Sequence, residues 1–155
     1  MLTNGSPLPA LHVTDTDGRA MRLGAGSGPT LLYFMRSASC AICNAHVRDL
    51  AGRADEFEAA GVRVIVAMPE TRDAAAAWKA KREVPFVVVT GSEGTPHAAL
   101  GLSRKLFGTM QQSGTVLVDA QGIVRHAQVA TMPLQAYDQK AIASAVAALA
   151  PVAVA

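Results

Sequence analysis

The chain has 155 residues, of which 50% are hydrophobic and 17% are charged, and its formal net charge is +2. This length and composition predict a single globular domain over residues 1–155, with enough apolar residues to fill a core. The small charge and scattered basic residues exclude a typical nucleic-acid-binding protein, and no apolar run approaches the roughly 20 residues that span a bilayer, so we expect neither nucleic acid nor membrane as a partner.

The amino-terminal residues lack the charged start and continuous apolar stretch of a secretory signal, so we expect a cytoplasmic protein. The chain has two cysteines, Cys40 and Cys43. In a reducing cytoplasm, such a pair is more typical of a catalytic, redox-sensing or metal-binding site than of a permanent disulfide.

The first half of the chain alternates strand and helix patterns. Its predicted elements are strands at 11–13, 21–23 and 30–35, a helix from 40 to 60, a strand at 62–68 and a helix from 71 to 82. Asp17-Gly18 is a hairpin turn signal between the first two strands. The almost continuously apolar run from Thr30 to Met35 predicts a central strand that is covered on both faces.

The helix predicted from Cys40 to Ala60 carries its apolar residues on one face. The positions that recur at spacings of three and four are Cys43, Val47, Leu50, Ala54 and Phe57. We expect this stripe to be buried, with the charged residues between its members mostly facing water. Gly61 is expected to end the helix.

The second half predicts a sheet that mixes parallel and antiparallel strands. Its predicted elements are a strand at 85–89, a short helix at 96–100, an irregular segment at 103–113, and hairpin strands at 115–119 and 123–127. A last helix is expected to start near Pro133, with Ile142 in its buried stripe. If the strands that alternate with helices pair in parallel, their crossovers should be right-handed.

The cysteine pair lies where the strand ending at Met35 gives way to a helix. The first turn of a helix has unpaired backbone N–H groups and a partial positive charge, so a thiolate is favoured there. A spacing of three residues brings Cys43 near Cys40, close enough to form a disulfide. These features predict two-electron redox chemistry.

The element order resembles the thioredoxin fold, with Cys-x-x-Cys after a central strand, Pro85-Phe86 opening a later strand, and the hairpin sequence from Gly114 to Val124. More narrowly, it resembles the peroxiredoxin-like branch of the alkyl hydroperoxide reductase and thiol-specific antioxidant family, over residues 7–149. The resemblance implies an α/β fold with a central mixed sheet, flanking helices and an N-terminal β-hairpin extension. It also implies peroxide reduction without cofactor or metal, an external thiol reductant, and dimers through sheet edges or helix faces.

The family's motif is only partly present. Peroxiredoxins have a Pro seven residues and a Thr three residues before the peroxide-attacking Cys. If Cys43 is the attacking Cys, Arg36 stands in place of the Pro and Cys40 in place of the Thr. If Cys40 is the attacking Cys, Tyr33 stands in place of the Pro and Ser37 in place of the Thr.

The residue that the family carries just before the late strand is also replaced. Peroxiredoxins carry an Arg just before the late strand, and thioredoxins carry a cis-Pro there, but this chain has Ser113. The family uses its Thr hydroxyl and Arg to stabilise charge on the leaving oxygen of the peroxide. Arg36, Ser37, Ser39 or Arg104 are candidates to replace them.

We predict that Cys40 attacks the substrate and that Cys43, on the buried stripe, resolves the product, with the reverse assignment left open. Cys40 should then be the more exposed thiol. His46 lies one helical turn beyond Cys43, where it could tune the pKa of that thiol or shuttle a proton. The alternative for His46 is an ordinary polar residue at the flank of the helix.

Two classes of function follow. The first is an enzyme, either a thiol peroxidase or a thiol–disulfide oxidoreductase, that cycles between dithiol and disulfide. The second is a non-catalytic module that senses oxidation or binds a partner through the same pair. The remaining alternatives are inert cysteines, or half of a zinc site with a His as a third ligand.

Overall fold

The structure, a computed structural model, describes residues 2–24, 26–92, 94–102, 104–105 and 110–149. Its strands are β1 (Leu11–Asp15), β2 (Ala20–Leu23), β3 (Thr30–Phe34), β4 (Arg63–Ala67), β5 (Val87–Gly91), β6 (Arg104–Lys105), β7 (Met110–Gln111), β8 (Ser113–Val118) and β9 (Val124–Ala130). Its helices are α1 (Ala41–Gly52), α2 (Ala54–Ala59), α3 (Arg72–Arg82), α4 (Pro96–Ala99) and α5 (Gln139–Ala147), and a 3-10 turn at Pro133–Gln135 precedes the last helix. Within these ranges, none of the helices is long and apolar enough to cross a membrane.

A seven-stranded mixed sheet runs in the order β2-β1-β5-β4-β3-β8-β9. The strand β3 pairs in parallel with β4 and antiparallel with β8, and β4 pairs in parallel with β5. The predicted N-terminal hairpin of β1 and β2 is present, and β1 also pairs antiparallel with β5. The hairpin therefore extends the central sheet at one edge and is not a separate addition to it.

The central strand β3 is buried on both faces, as its apolar sequence predicts. All five of its residues are buried. Leu31 and Tyr33 join the cluster formed with Val47, Leu50 and other residues of the helices α1, α3 and α5. Leu32 and Phe34 point to the opposite face, where they meet residues of β1 and the α4 region. This packing on both faces fixes the position of the end of β3, from which the chain continues to the cysteines.

The helix predicted from 40 to 60 is broken into α1 and α2. Arg53 separates them, with φ −114° and ψ 15°, and its guanidinium pairs with the Glu56 carboxylate at 3.2 Å. Gly52, which has a low helix propensity, stands immediately before the break. The bend still buries Phe57, and Gly61 follows α2 with a φ of +71°, a conformation that glycine adopts without strain.

Two further expectations are corrected. The last helix begins at Gln139 and not near Pro133, because the Asp138 carboxylate accepts the Ala141 N–H at 3.0 Å and caps the helix there. Part of the segment expected to be irregular forms the antiparallel pair of β6 and β7. Residues 103 and 106–109 of that segment lie outside the described residues.

The packing of α1 on the sheet makes Leu50 a test of the fold. Leu50 has no solvent exposure. We expect Leu50→Ala to lower the free energy of unfolding by about 3 kcal/mol, because it leaves a cavity in the core. Arg48→Ala, at an exposed position of the same helix, should change it by less than about 0.5 kcal/mol. Urea denaturation followed by circular dichroism measures both, and equal effects would show that α1 is not packed as described.

Candidate active site

Cys40 caps the amino terminus of α1 with its sulfur. Its backbone is extended, with φ −69° and ψ 106°, and its Sγ accepts the Cys43 backbone N–H at 3.2 Å. Helix N-caps are usually the oxygen-bearing side chains of Ser, Thr, Asp or Asn. Here the capping atom is a sulfur, which lies at the positive end of the helix.

Cys43 lies deeper, one turn into the helix. Its thiol is hydrogen-bonded with Cys40, with the Tyr33 hydroxyl and with the backbone of Arg36. Burial raises the pKa of Cys43 to about 11, and the hydrogen bond with Cys40 adds to this rise. Cys43 is therefore a neutral thiol at pH 7.

Both cysteines are free thiols and both are buried. Cys40 is 2% exposed and Cys43 is 0% exposed. Cys40 is the more exposed of the two, as predicted, but by only this small margin. Neither sulfur is therefore openly accessible to solvent.

Buried polar contacts hold that loop in place. The Asn44 side-chain amide donates to the Ala38 carbonyl and to the Cys40 carbonyl, each at 2.9 Å, and its oxygen accepts the Trp78 indole N–H at 2.8 Å. The Glu70 carboxylate, which follows β4, accepts the Ala38 backbone N–H at 2.9 Å. The loop before Cys40 is thus tied to α1, to α3 and to the end of β4.

His46 contacts the site through Tyr33. The Tyr33 hydroxyl lies 2.6 Å from His46 Nδ1. The His46 ring stacks on Tyr137 with 4.6 Å between ring centroids, and the Tyr137 hydroxyl donates to the Asp49 carboxylate. Burial lowers the pKa of His46, and the nearby Asp49 charge opposes this effect.

The other candidate residues lie in the loop before α1. The Ser37 and Ser39 hydroxyls are 3.3 Å apart, and the Ser37 carbonyl accepts the Cys40 N–H at 3.2 Å. Arg36 reaches the Cys43 thiol through its backbone. The Arg104 side chain lies outside the part of the structure that is described.

The family model of the AhpC/TSA family matches residues 4–127. The chain belongs to the AhpC/TSA family. Among curated relatives, it is 25% identical over 126 residues to "Peroxiredoxin Q, chloroplastic" of Oryza sativa subsp. japonica. This match covers 81% of the chain but 58% of the length of the relative.

Two solved structures of similar proteins show the same fold. The peroxidoxin BcpB of Mycobacterium tuberculosis has a TM-score of 0.80 at 20% identity, covering 97% of this chain and 100% of the other. The peroxiredoxin-like protein of Aquifex aeolicus has a TM-score of 0.81 at 15% identity, covering 94% and 86% respectively. The AhpC/TSA chain described here therefore has the thioredoxin-like peroxiredoxin fold that its sequence resembles.

Ser113 stands at the position where other AhpC/TSA proteins carry an Arg. It is the first residue of β8, and the next residue, Gly114, pairs with Phe34 at the end of β3. Ser113 therefore lies beside the end of β3, from which the chain continues into the loop before Cys40. Its hydroxyl is buried and has no hydrogen-bond partner in the described part of the chain.

Sequence reasoning placed Tyr33 only within the central strand and at the family's Pro position, and it did not single out Asn44 or Glu70. Two signals were available in the sequence. Glu70 comes shortly after an apolar strand, where the ends of parallel strands meet at one edge. Asn44 lies directly after Cys43, so its side chain is on or next to the buried stripe. Neither signal identifies a partner without the fold.

The described residues place no group of three or more His, Cys, Asp and Glu side chains where it could hold a metal ion. An open cleft of about 460 Å³ lies beside the cysteine loop, at the ends of β4 and β5. Glu70 and Thr90 line it, and the Glu70 carboxylate also holds the loop. The cysteines themselves do not line this cleft.

The contacts of Asn44 predict that it keeps the thiols covered. We expect Asn44→Ala to lower the free energy of unfolding by about 3 kcal/mol, since it removes three buried hydrogen bonds. Loosening the loop should also make alkylation of the thiols by iodoacetamide about tenfold faster. The control is Asn4→Ala at an exposed position, which should change neither quantity. Unchanged alkylation in Asn44→Ala would contradict a role of Asn44 in closing the site.

Proposed function

We propose that this protein is a thiol peroxidase that uses Cys40 and Cys43 as a redox pair. The observation that carries the proposal is the hydrogen bond from the Cys43 backbone N–H to the Cys40 sulfur at the start of α1, in a chain of the AhpC/TSA family. One sulfur caps the helix and is placed to react as a thiolate. The other is kept as a thiol by burial and lies beside the first.

The first step assigned to Cys40 is attack on a peroxide. The thiolate sulfur bonds to one peroxide oxygen, the O–O bond breaks, and the leaving alkoxide or hydroxide takes up a proton. Cys40 becomes a sulfenic acid, and the peroxide is reduced to an alcohol or water. We propose that the hydroxyls of Ser37 and Ser39 and the Arg36 segment supply donors for the leaving oxygen, in place of the Thr and Arg of the family.

The second step is resolution by Cys43. Its sulfur attacks the Cys40 sulfur, the S–O bond breaks, and a Cys40–Cys43 disulfide and water are formed. An external thiol, either a thioredoxin-like protein or a small thiol, then restores the dithiol. We propose that the cycle operates in the cytoplasm, where reducing conditions keep such a pair available.

A second candidate, a protein thiol–disulfide oxidoreductase, is favoured by the Cys-x-x-Cys spacing and by the absence of the family's Pro, Thr and Arg. In that case Cys40 would attack a disulfide and Cys43 would release the reduced product. Peroxide consumption and insulin disulfide reduction, each measured with dithiothreitol as reductant, separate the two activities. If the protein turns over neither substrate, the non-catalytic sensing or binding module is the hypothesis that remains.

The proposed roles of Cys40 and Cys43 predict different reactions for two single variants. With one equivalent of hydrogen peroxide, Cys43→Ser should oxidise once and stall with a sulfenic acid on Cys40, because no neighbouring thiol can displace it. Cys40→Ser should not react at neutral pH, since Cys43 is buried and has a raised pKa. Mass spectrometry after trapping with dimedone identifies the oxidised residue, and the double serine variant supplies the blank. Trapping on Cys43 in Cys40→Ser, with an unreactive Cys40 in the other variant, would reverse the assignment.

We also propose a homodimer that forms through the sheet edge at β9. Three large apolar side chains are exposed at or just after this strand, namely Val129 at 39%, Met132 at 56% and Leu134 at 69%. A charge at an exposed apolar position within the proposed interface opposes association, so Leu134→Glu should shift the protein to monomer in sedimentation velocity. Arg48→Ala, distant in sequence and on α1, is the control. A wild-type protein that sediments as a monomer at all concentrations would contradict the proposal.

A further inference from the structure

Tyr33 places a hydroxyl inside an otherwise apolar part of the core. Its side chain has no solvent exposure and sits on β3 among residues of the cluster under α1. A buried hydroxyl costs free energy unless it is hydrogen-bonded. The Tyr33 hydroxyl contacts the Cys43 thiol on one side and His46 Nδ1, at 2.6 Å, on the other. A reactive sulfur and an imidazole are thus joined through a single oxygen.

The resolving step requires Cys43 to lose its proton, because a thiolate and not a thiol attacks sulfur. Because burial raises the pKa of Cys43, its thiol is predominantly protonated at pH 7. Cys43 has no exposure through which water could take the proton directly. A fast resolving step therefore needs a proton acceptor inside the protein.

We propose that Tyr33 and His46 form a relay that removes the proton of Cys43 in the resolving step. This inference rests on the proposed roles of Cys40 and Cys43. Tyr33 touches the reacting sulfur and acts as a catalytic residue. His46 acts through Tyr33, which it positions and from which it receives the proton.

The proton moves from Cys43 to His46 through Tyr33. The Cys43 S–H proton passes to the Tyr33 oxygen while the Tyr33 O–H proton passes to His46 Nδ1, so the tyrosine stays neutral. Burial raises the pKa of Tyr33 far above its usual range, which prevents it from persisting as a phenolate. The Cys43 sulfur then bonds to the Cys40 sulfur, and the hydroxide that leaves the sulfenic acid is neutralised by the proton held on His46.

The surroundings of His46 suit a proton acceptor. Burial lowers its pKa, so the ring is neutral at pH 7, and in the tautomer that carries hydrogen on Nε2, the Nδ1 accepts from Tyr33. Asp49 on the same helix offsets part of this effect and stabilises the protonated ring. Tyr137 stacks on the ring and donates its hydroxyl to Asp49, and Arg53 lies near Tyr137. The half-buried ring can exchange its proton with solvent.

The test measures the two thiol steps separately, using the aromatic disulfide dithionitrobenzoate in place of peroxide. The Cys40 thiolate attacks this reagent and releases one coloured thiolate, forming a mixed disulfide. Cys43 then attacks the Cys40 sulfur, releases the second thiolate and forms the Cys40–Cys43 disulfide. Stopped-flow absorbance gives both rates at each pH. Because no peroxide is used, the relay is tested even if the protein does not consume peroxide.

We expect Tyr33→Phe, which fills the same space, to slow the second release about 100-fold at pH 7 and to leave the first within about twofold. In the wild type, the second rate should fall only as the pH drops through the lowered pKa of His46. In Tyr33→Phe it should instead rise about tenfold per pH unit between pH 6 and pH 9, as direct ionisation of Cys43 takes over. His46→Gln should show the same loss and the same profile.

The matched control is His126→Gln. His126 is a half-buried histidine on β9 whose pKa is also lowered by burial. Its replacement should change neither rate. The relay would be overturned if Tyr33→Phe released the second thiolate with the rate and pH profile of the wild type. It would also be overturned if Tyr33→Phe and His46→Gln slowed both releases equally. Wild-type protein that releases both thiolates but consumes no hydrogen peroxide would refute the peroxidase proposal and leave the relay standing.

Discussion

The hydrogen bond from the Cys43 backbone N–H to the Cys40 sulfur is the interaction on which the site depends. It gives α1 its cap, fixes the two sulfurs at neighbouring positions and places one of them at the positive end of a helix. On the proposed roles, the capping atom is also the reacting atom, so the start of α1 and the redox state of the pair are coupled.

The two cysteines differ chemically although they are three residues apart. Cys40 lies at the helix terminus, whereas Cys43 is placed on the buried face by the helical repeat and has its pKa raised by burial. This contrast is the basis on which we propose an attacking role for Cys40 and a resolving role for Cys43. The Tyr33 hydroxyl and the His46 imidazole lie on the Cys43 side of the pair.

The closed state of the site follows from the buried polar contacts around it. Asn44 and Glu70 each satisfy backbone groups of the loop before Cys40, and Trp78 completes the bonding of Asn44. Buried polar groups of this kind impose one geometry, because any other arrangement leaves donors or acceptors unpaired. A local opening of this loop costs less free energy than global unfolding, and we propose it as the route by which substrate reaches the sulfurs.

The sequence alone determined the order of strands and helices around the cysteine pair, because apolar periodicity follows from local geometry. The run from Thr30 to Met35 identified the central strand, and the spacing after Cys40 identified a helix with Cys43 on its inner face. The break at Arg53, the start of α5 at Gln139 and the pairing of β6 with β7 required the structure, since each depends on individual side-chain or cross-strand contacts. The contact of the Cys43 sulfur with Tyr33 and the contact of the loop with Glu70 were likewise decided by the tertiary structure. They join residues 10 or more positions apart in the chain, and such distances carry no local pattern.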